Sequence, residues 1–173
     1  MALAKLGACC APTAIQPLAS LGKTRHYLLW PSHIWRTTIE KKTSIEWCDS
    51  TWNPWIGCQK VSPACDHCYA ETLTARFGQV EWGPGKPRKR TSAANWSKPI
   101  KWNRDAAAFA EKHGRRQRVF CASLADVFDN AVDPQWRADL FGLIDATPNL
   151  DWLLLTKRIG NVAGMLEAMG REC

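Results

Sequence analysis

The amino-acid sequence predicts an α/β fold, a parallel sheet covered by helices. Three observations point there. Two short runs with continuous apolar centres, residues 118–123 and 151–156, are each followed by a stretch whose apolar residues recur at helical spacing. An earlier alternating segment, residues 44–47, leads through a loop into another helical stretch, so the order is β-loop-α, β-α, β-α. With 173 residues and 46% hydrophobic content the chain can bury one core, but it is short of the roughly 250 residues of an eight-unit barrel.

In chain order, residues 1–42 stand apart. They carry six Lys or Arg against Glu40 alone, are broken by Pro12 and Pro17, and hold no sustained apolar stripe. They read as a disordered extension, or as residues added by translation from an upstream start, rather than as a targeting signal. From residue 43 the pattern changes. Ser44-Ile45-Glu46-Trp47 alternates as a strand does, and a turn-rich approach through Asn53-Pro54 reaches Trp55-Ile56-Gly57 and then Cys58. Residues 69–77 are good helix formers, with Leu73 and Phe77 four apart on one face.

Residues 78–103 are rich in Gly, Pro, Lys and Trp and lack either period, which predicts a long excursion rather than an element. Asn103 is placed to cap a helix over 104–112 that stops at Gly114. After the strand at 118–123, Asp133-Pro134 supplies an N-cap and first-turn pair for a helix carrying Trp136, Leu140, Leu143 and Ile144. The strand at 151–156 ends in Lys157-Arg158, and Asn161 opens a last helix with Val162, Met165, Leu166 and Met169. Folds of this kind place polar site residues at strand ends, here the cysteine loop, Ser123 to Asp126, and Thr156 to Arg158.

Charge and cysteine content narrow the class further. The net charge of +7 is unevenly spread: residues 82–118 hold eleven basic residues against Asp105 and Glu111, so a basic segment sits in an acidic frame. Eight cysteines in one tight cluster with scattered singles suit a reducing compartment better than a disulfide scaffold, so a cytoplasmic protein is expected. No apolar run approaches the roughly 20 residues that span a bilayer, and no membrane partner is expected.

The cluster itself is Cys58, Cys65 and Cys68 within eleven residues. A closed structural zinc site takes four ligands, whereas a cubane iron-sulfur cluster on three thiolates leaves one iron open. On spacing alone both remain: zinc could recruit Cys48, His67 or Cys121 as a fourth ligand. Cys121 lies inside an apolar strand, and Cys9, Cys10 and Cys173 sit in terminal segments.

Ile45-Glu46-Trp47, Thr51-Trp52-Asn53-Pro54, Gly57-Cys58, Val61-Ser62-Pro63, Cys65 and Cys68-Tyr69-Ala70 resemble the opening motif of a phage-associated family of unknown function. That family is similar to the radical S-adenosylmethionine (SAM) superfamily. Val119-Phe120 through Ser123, Asp126 and Phe128, and then Leu155-Thr156-Lys157-Arg158, extend the match, which covers residues 43 to about 167. The resemblance implies a partial, truncated TIM-type barrel of about three βα units. It also implies a 4Fe-4S cluster on Cys58, Cys65 and Cys68, S-adenosylmethionine on the fourth iron, and reductive cleavage of that cofactor with electrons from a reductant protein. His67, Tyr69, Ser123, Asp126 and Lys157 become candidate cofactor contacts.

Two departures stand out: the first gap between cysteines is six residues where the superfamily mostly has three, and His67 replaces the usual aromatic residue before the last cysteine. The family would continue beyond Cys173 with more strands, so a missing C-terminal half or a partner chain, marginal stability and an exposed sheet edge after the third strand are expected.

The basic excursion adds a nucleic-acid expectation. Arg88, Lys89, Arg90, Lys98 and Lys101 are interleaved with Trp96 and Trp102, the mixture of phosphate contacts and stacking faces that nucleic-acid binders use. A solvated loop whose tryptophans pack on the core is the plainer alternative. Two functions follow: a radical SAM enzyme, with nucleic acid as a candidate substrate, or a zinc-stabilised nucleic-acid-binding module without catalysis.

Overall fold

A computed structural model describes the backbone strand at residues 2–5 and residues 43–78 and 80–171. The expectation of disorder over residues 1–42 therefore lies, apart from that strand, outside the described residues. Four strands form one sheet: β1 (Ala2–Lys5), β2 (Ser50–Trp52), β5 (Gln117–Cys121) and β6 (Leu150–Thr156), in the order β1-β6-β5-β2. Strands β2, β5 and β6 run parallel, with Val119 opposite both Ser50 and Trp152. A separate antiparallel pair joins β3 (Trp55–Ile56) to β4 (Lys89–Arg90). The helices are α1 (Tyr69–Arg76), α2 (Ala93–Trp96), α3 (Lys98–Arg104), α4 (Ala106–His113), α5 (Pro134–Asp145) and α6 (Ile159–Glu167). The parallel α/β order thus holds; the sheet is small and open among the described residues. No helix among them is long and apolar enough to cross a membrane.

The two central strands form because both of their faces are buried. Val119, Cys121, Trp152 and Leu154 point into one core with Leu140 and Phe141 of α5 and Leu166 of α6. Phe120 and Leu153 point the other way, where among the described residues Cys48, Ile45 and Leu155 join them and the Trp47 ring lies 4.7 Å from that of Phe120. Helices therefore cover one face, and a thin layer covers the other. Helix α5 starts where the Asp133-Pro134 pair places it, with the Asp133 carboxylate accepting from the Gln135 N–H at 2.8 Å.

Three sequence expectations are corrected. The first parallel strand is Ser50–Trp52, and residues 44–47 form a bend and turn instead. Burial decides this: Trp52 is 1% exposed, whereas Trp47 is 40% exposed. The Trp52 indole N–H donates to the Asn95 carbonyl at 2.9 Å, and its ring meets Trp96 and Trp152 edge-on at 5.3 and 5.5 Å. The excursion at 78–103 is also not structureless. It holds β4, α2 and most of α3, anchored by Thr91 Oγ1 and Asn95 Nδ2, which both donate to the Asn53 carbonyl at 2.9 Å. Arg90 stacks on Trp96 with 4.3 Å to the ring centre, which pins the segment further. Asn103 does not cap the next helix; its side-chain oxygen accepts from Asn149 N, and α4 begins after Asp105 and ends on left-handed Gly114.

The edge beyond the third parallel strand is occupied as well. β1 pairs antiparallel with β6, Ala2 opposite Thr156 and Lys5 opposite Leu153. The N-terminal segment thus supplies the partner that would otherwise be missing there.

Candidate functional site

The site is built where β5 and β6 end. β3 continues through Gly57, whose N–H donates to Leu124 O at 3.0 Å and whose φ of 108° suits only glycine. A methyl group there would meet Arg88 Cδ and Val80 Cγ2 at 3.3 Å. This close approach sets Cys58 beside the loop that follows β5. The chain then turns through a short 3-10 segment, Pro63–Cys65, and Cys68 stands at the N-cap of α1. Cys65 is buried, Cys58 and Cys68 are half-buried, and all three thiols are free.

The floor comes from the strand ends. Directly after β5, Ala122 takes a left-handed φ of 63°, an uncommon conformation for a residue with a Cβ, and turns the chain into Ser123. Asn53 holds that turn: its amide donates to Ser123 Oγ at 3.0 Å and its oxygen accepts from Leu124 N at 2.7 Å. Asp126 ties the two strand-end loops together, accepting from Phe128 N (3.0 Å), Thr156 Oγ1 (2.8 Å) and Lys157 N (3.1 Å). Tyr69 of α1 donates its hydroxyl to Ser123 O at 2.9 Å, and Lys157 Nζ donates to Ala64 O at 2.7 Å, so both floor loops are bonded to the cysteine loop.

Behind the thiols lies a buried ionic cluster. Arg158 Nη1 donates to Cys58 Sγ at 3.3 Å and Nη2 to Gln59 O at 3.0 Å, while the same guanidinium pairs with Asp126 at 3.2 Å and Asp129 at 3.6 Å. Asp129 also takes Arg88 Nε at 2.7 Å, with side chains 0% and 1% exposed. Arg137 completes the cluster by donating to Val127 O and Asp129 O, both at 2.9 Å. Burial pushes the Cys58 thiol up, and the Arg158 hydrogen bond opposes that shift. At Cys65 burial acts in the same direction, but backbone hydrogen bonds from Val61 and Ser62 and the Lys157 ammonium together bring the thiol below its ordinary value. Cys121 is fully enclosed and its thiol is pushed far up by burial, as befits a core residue.

These parts enclose a cleft of about 240 Å³. Cys58, Cys65, Cys68, His67, Tyr69, Ser123, Asp126, Lys157 and Arg158 all line it. The candidate ligand and cofactor residues of the sequence are thus brought together. Cys48 and Cys121 are not among the lining residues: Cys48 packs on Phe120 and Leu153, and Cys121 faces the helix-side core. Among the described residues no three His, Cys, Asp or Glu side chains converge on a single ion position. The donor set, three free thiols open to one cleft with Arg158 and Lys157 beside them, fits a group held by three thiolates with a net negative charge.

Residues 42–172 match the model of a family described as Protein of unknown function (DUF5131). The chain belongs to this family. Every residue lining the cleft lies within the matched span. Comparison with curated proteins and with solved structures gives no match.

The nucleic-acid candidates divide differently. Arg88 is buried against Asp129, Arg90 pairs with Asp139 at 2.8 Å, and Trp96 and Trp102 pack on the core. Lys89, Lys98 and Lys101 remain exposed. The charge pattern alone did not distinguish these groups. The sequence named Arg158 at a strand end but passed over Asp129, and it could not show their partners, Cys58 being 100 positions from Arg158.

Proposed function

We propose that the cleft is the site of an iron-sulfur cluster held by Cys58, Cys65 and Cys68, with S-adenosylmethionine bound beside it and reductively cleaved, in a partial barrel of TIM type. The observation that carries this is the meeting of three free thiols from one short loop over a floor made by two parallel strand ends. The unequal faces of the sheet support the barrel: helices lie on one side, and the thinly covered side is the one that a barrel would turn inward.

A cluster held there would pass an electron from a reductant partner protein to S-adenosylmethionine, breaking a carbon–sulfur bond. The chain's own residues hold and orient. Lys157 sets an ammonium at the rim, suited to a carboxylate, and Ser123 offers a hydroxyl at the end of β5. Tyr69 and His67 present rings at the mouth. The Asp126 carboxylate is engaged by three donors and Arg158, so its part is to hold the floor rather than to take a ligand. Free thiols throughout the described chain suit a cytoplasmic setting. Exposed Lys89, Lys98 and Lys101 make nucleic acid the candidate substrate class.

A second possibility, a zinc-stabilised nucleic-acid-binding module, rests on His67, which lines the same cleft as the three cysteines and would be the fourth ligand once the loop closed on the ion. Anaerobic reconstitution decides between them. A brown protein holding iron and acid-labile sulfide, colourless in Cys58→Ala, is the expected result; a colourless wild type with one zinc per chain refutes the iron-sulfur proposal.

A further inference from the structure

We infer that Arg158 is a positioning residue that sets the electron affinity of the cluster by donating from its guanidinium to the sulfur of Cys58. This rests on the iron-sulfur proposal above.

The guanidinium is held as a fork across Cys58 and Gln59, 3.3 Å from the sulfur and 3.0 Å from the next carbonyl. Its orientation is set from behind by Asp126 and Asp129 at 3.2 and 3.6 Å. Asp129 is shared with Arg88, so two buried arginines pair with two buried aspartates, and Arg137, bonded to backbone carbonyls, adds a third buried cation. The side chain of Arg158 is 6% exposed. The guanidinium is thus shielded from water, and its charge is weakly screened.

A hydrogen bond to a ligand sulfur, and a fixed positive charge beside it, stabilise the reduced form more than the oxidised one, because reduction adds negative charge to the sulfurs. Lys157, the neighbouring cation, donates to the Ala64 carbonyl rather than to a cysteine sulfur. Nothing in residues 155–158 as a sequence separates the two cations; the structure turns one to the rim and the other to the thiol.

The test is a redox titration of the anaerobically reconstituted full chain with dithionite, followed by visible absorbance, for wild type, Arg158→Gln and Arg158→Lys. Iron and sulfide are counted in each. For Arg158→Gln the reduction equilibrium should fall tenfold or more, a midpoint more negative by about 59 mV for one electron. Arg158→Lys keeps the charge without the fork and should fall between. Loaded variants that titrate at or above the wild-type midpoint overturn the inference while leaving the cluster in place. If Arg158→Gln does not load, Arg158→Lys decides by the same criterion. A wild type that takes up no iron and sulfide overturns the proposed function, and this inference with it.

Discussion

Replacing Asp129 by alanine strands a guanidinium in the interior. Arg88 and Asp129 meet at 2.7 Å with side chains 1% and 0% exposed, and Arg88 Nη2 already has no hydrogen-bond partner. Without the carboxylate, Arg88 keeps only Lys86 O as an acceptor, at 2.7 Å. Removing one member of such a pair costs about 3–5 kcal/mol, against a typical domain stability of about 5–15 kcal/mol. The melting temperature should fall by about 10–20 °C. Arg88→Met should cost a similar amount, since Asp129 then lacks its closest cation. The double variant Arg88→Met, Asp129→Leu removes both charges, leaves the Ala131 N–H, bonded to Asp129 at 3.1 Å, without an acceptor, and leaves Arg158 with Asp126 as its remaining carboxylate, about 1–3 kcal/mol. Urea unfolding followed by circular dichroism should therefore give a coupling of at least about 2 kcal/mol between the two sites. Single variants costing less than about 1 kcal/mol, or a double equal to the sum of the singles, would refute the reasoning. A charge reversal at Arg88 meant to probe nucleic-acid binding would instead unfold the chain; that probe belongs on Lys89, Lys98 and Lys101.

Three further outcomes are expected. Asp49 is held down to about 2, from an ordinary 3.8, chiefly by the Arg115 side chain, whose two terminal nitrogens lie 2.5 and 2.6 Å from its oxygens. The stability it contributes is complete above pH 3.8 and is lost as pH falls through about 2. Asp49→Asn should remove about 1 kcal/mol at neutral pH, a value reduced because Arg115 is partly exposed, and flatten the acid limb; an unchanged limb would count against the pair. Because alternate N–H groups of β1 face opposite ways, either Leu3→Pro or Ala4→Pro, but not both, should speed amide exchange in β6; no change in either variant would mean that the pairing is absent in solution. Gly57→Ala should cost about 1–3 kcal/mol and lower metal uptake in parallel, as its φ and its 3.3 Å neighbours require; a variant that folds and loads as wild type does would show the approach to be adaptable.

Much of the scaffold was legible because the signals were local. Val119-Phe120-Cys121 and Leu153-Leu154-Leu155 read as strands since both faces are buried, and Asp133-Pro134 marked a helix start that needs only its own first turn. β2 was missed because three residues with one buried side chain carry no period, while exposed Trp47 completed a false alternation a few residues earlier. Helices of four and seven residues in the excursion are likewise too short to show a stripe, although Ser92, which accepts from Asn95 N, and Pro99 were visible start signals. The thiol cluster and the polar strand ends could be named from sequence. Which cations face water could not, because a buried arginine is defined by its partner: Arg88 and Asp129 are 41 positions apart.

The spacing of the sheet contacts also orders events in time. β6 joins β5 across about a third of a hundred residues, as the Arg116 to Leu150 bond at a separation of 34 shows, whereas the bond from Arg118 to Asp49 beside β2 spans 69. The shorter loop closes at lower entropic cost, so the β5-α5-β6 unit should gain protection first in pulsed hydrogen exchange, with β2 following. During synthesis the three thiols emerge from the ribosome well before the floor against which they dock. Metal can therefore reach them in the nascent chain, and cluster insertion becomes a competitor, or a guide, to the last step of folding.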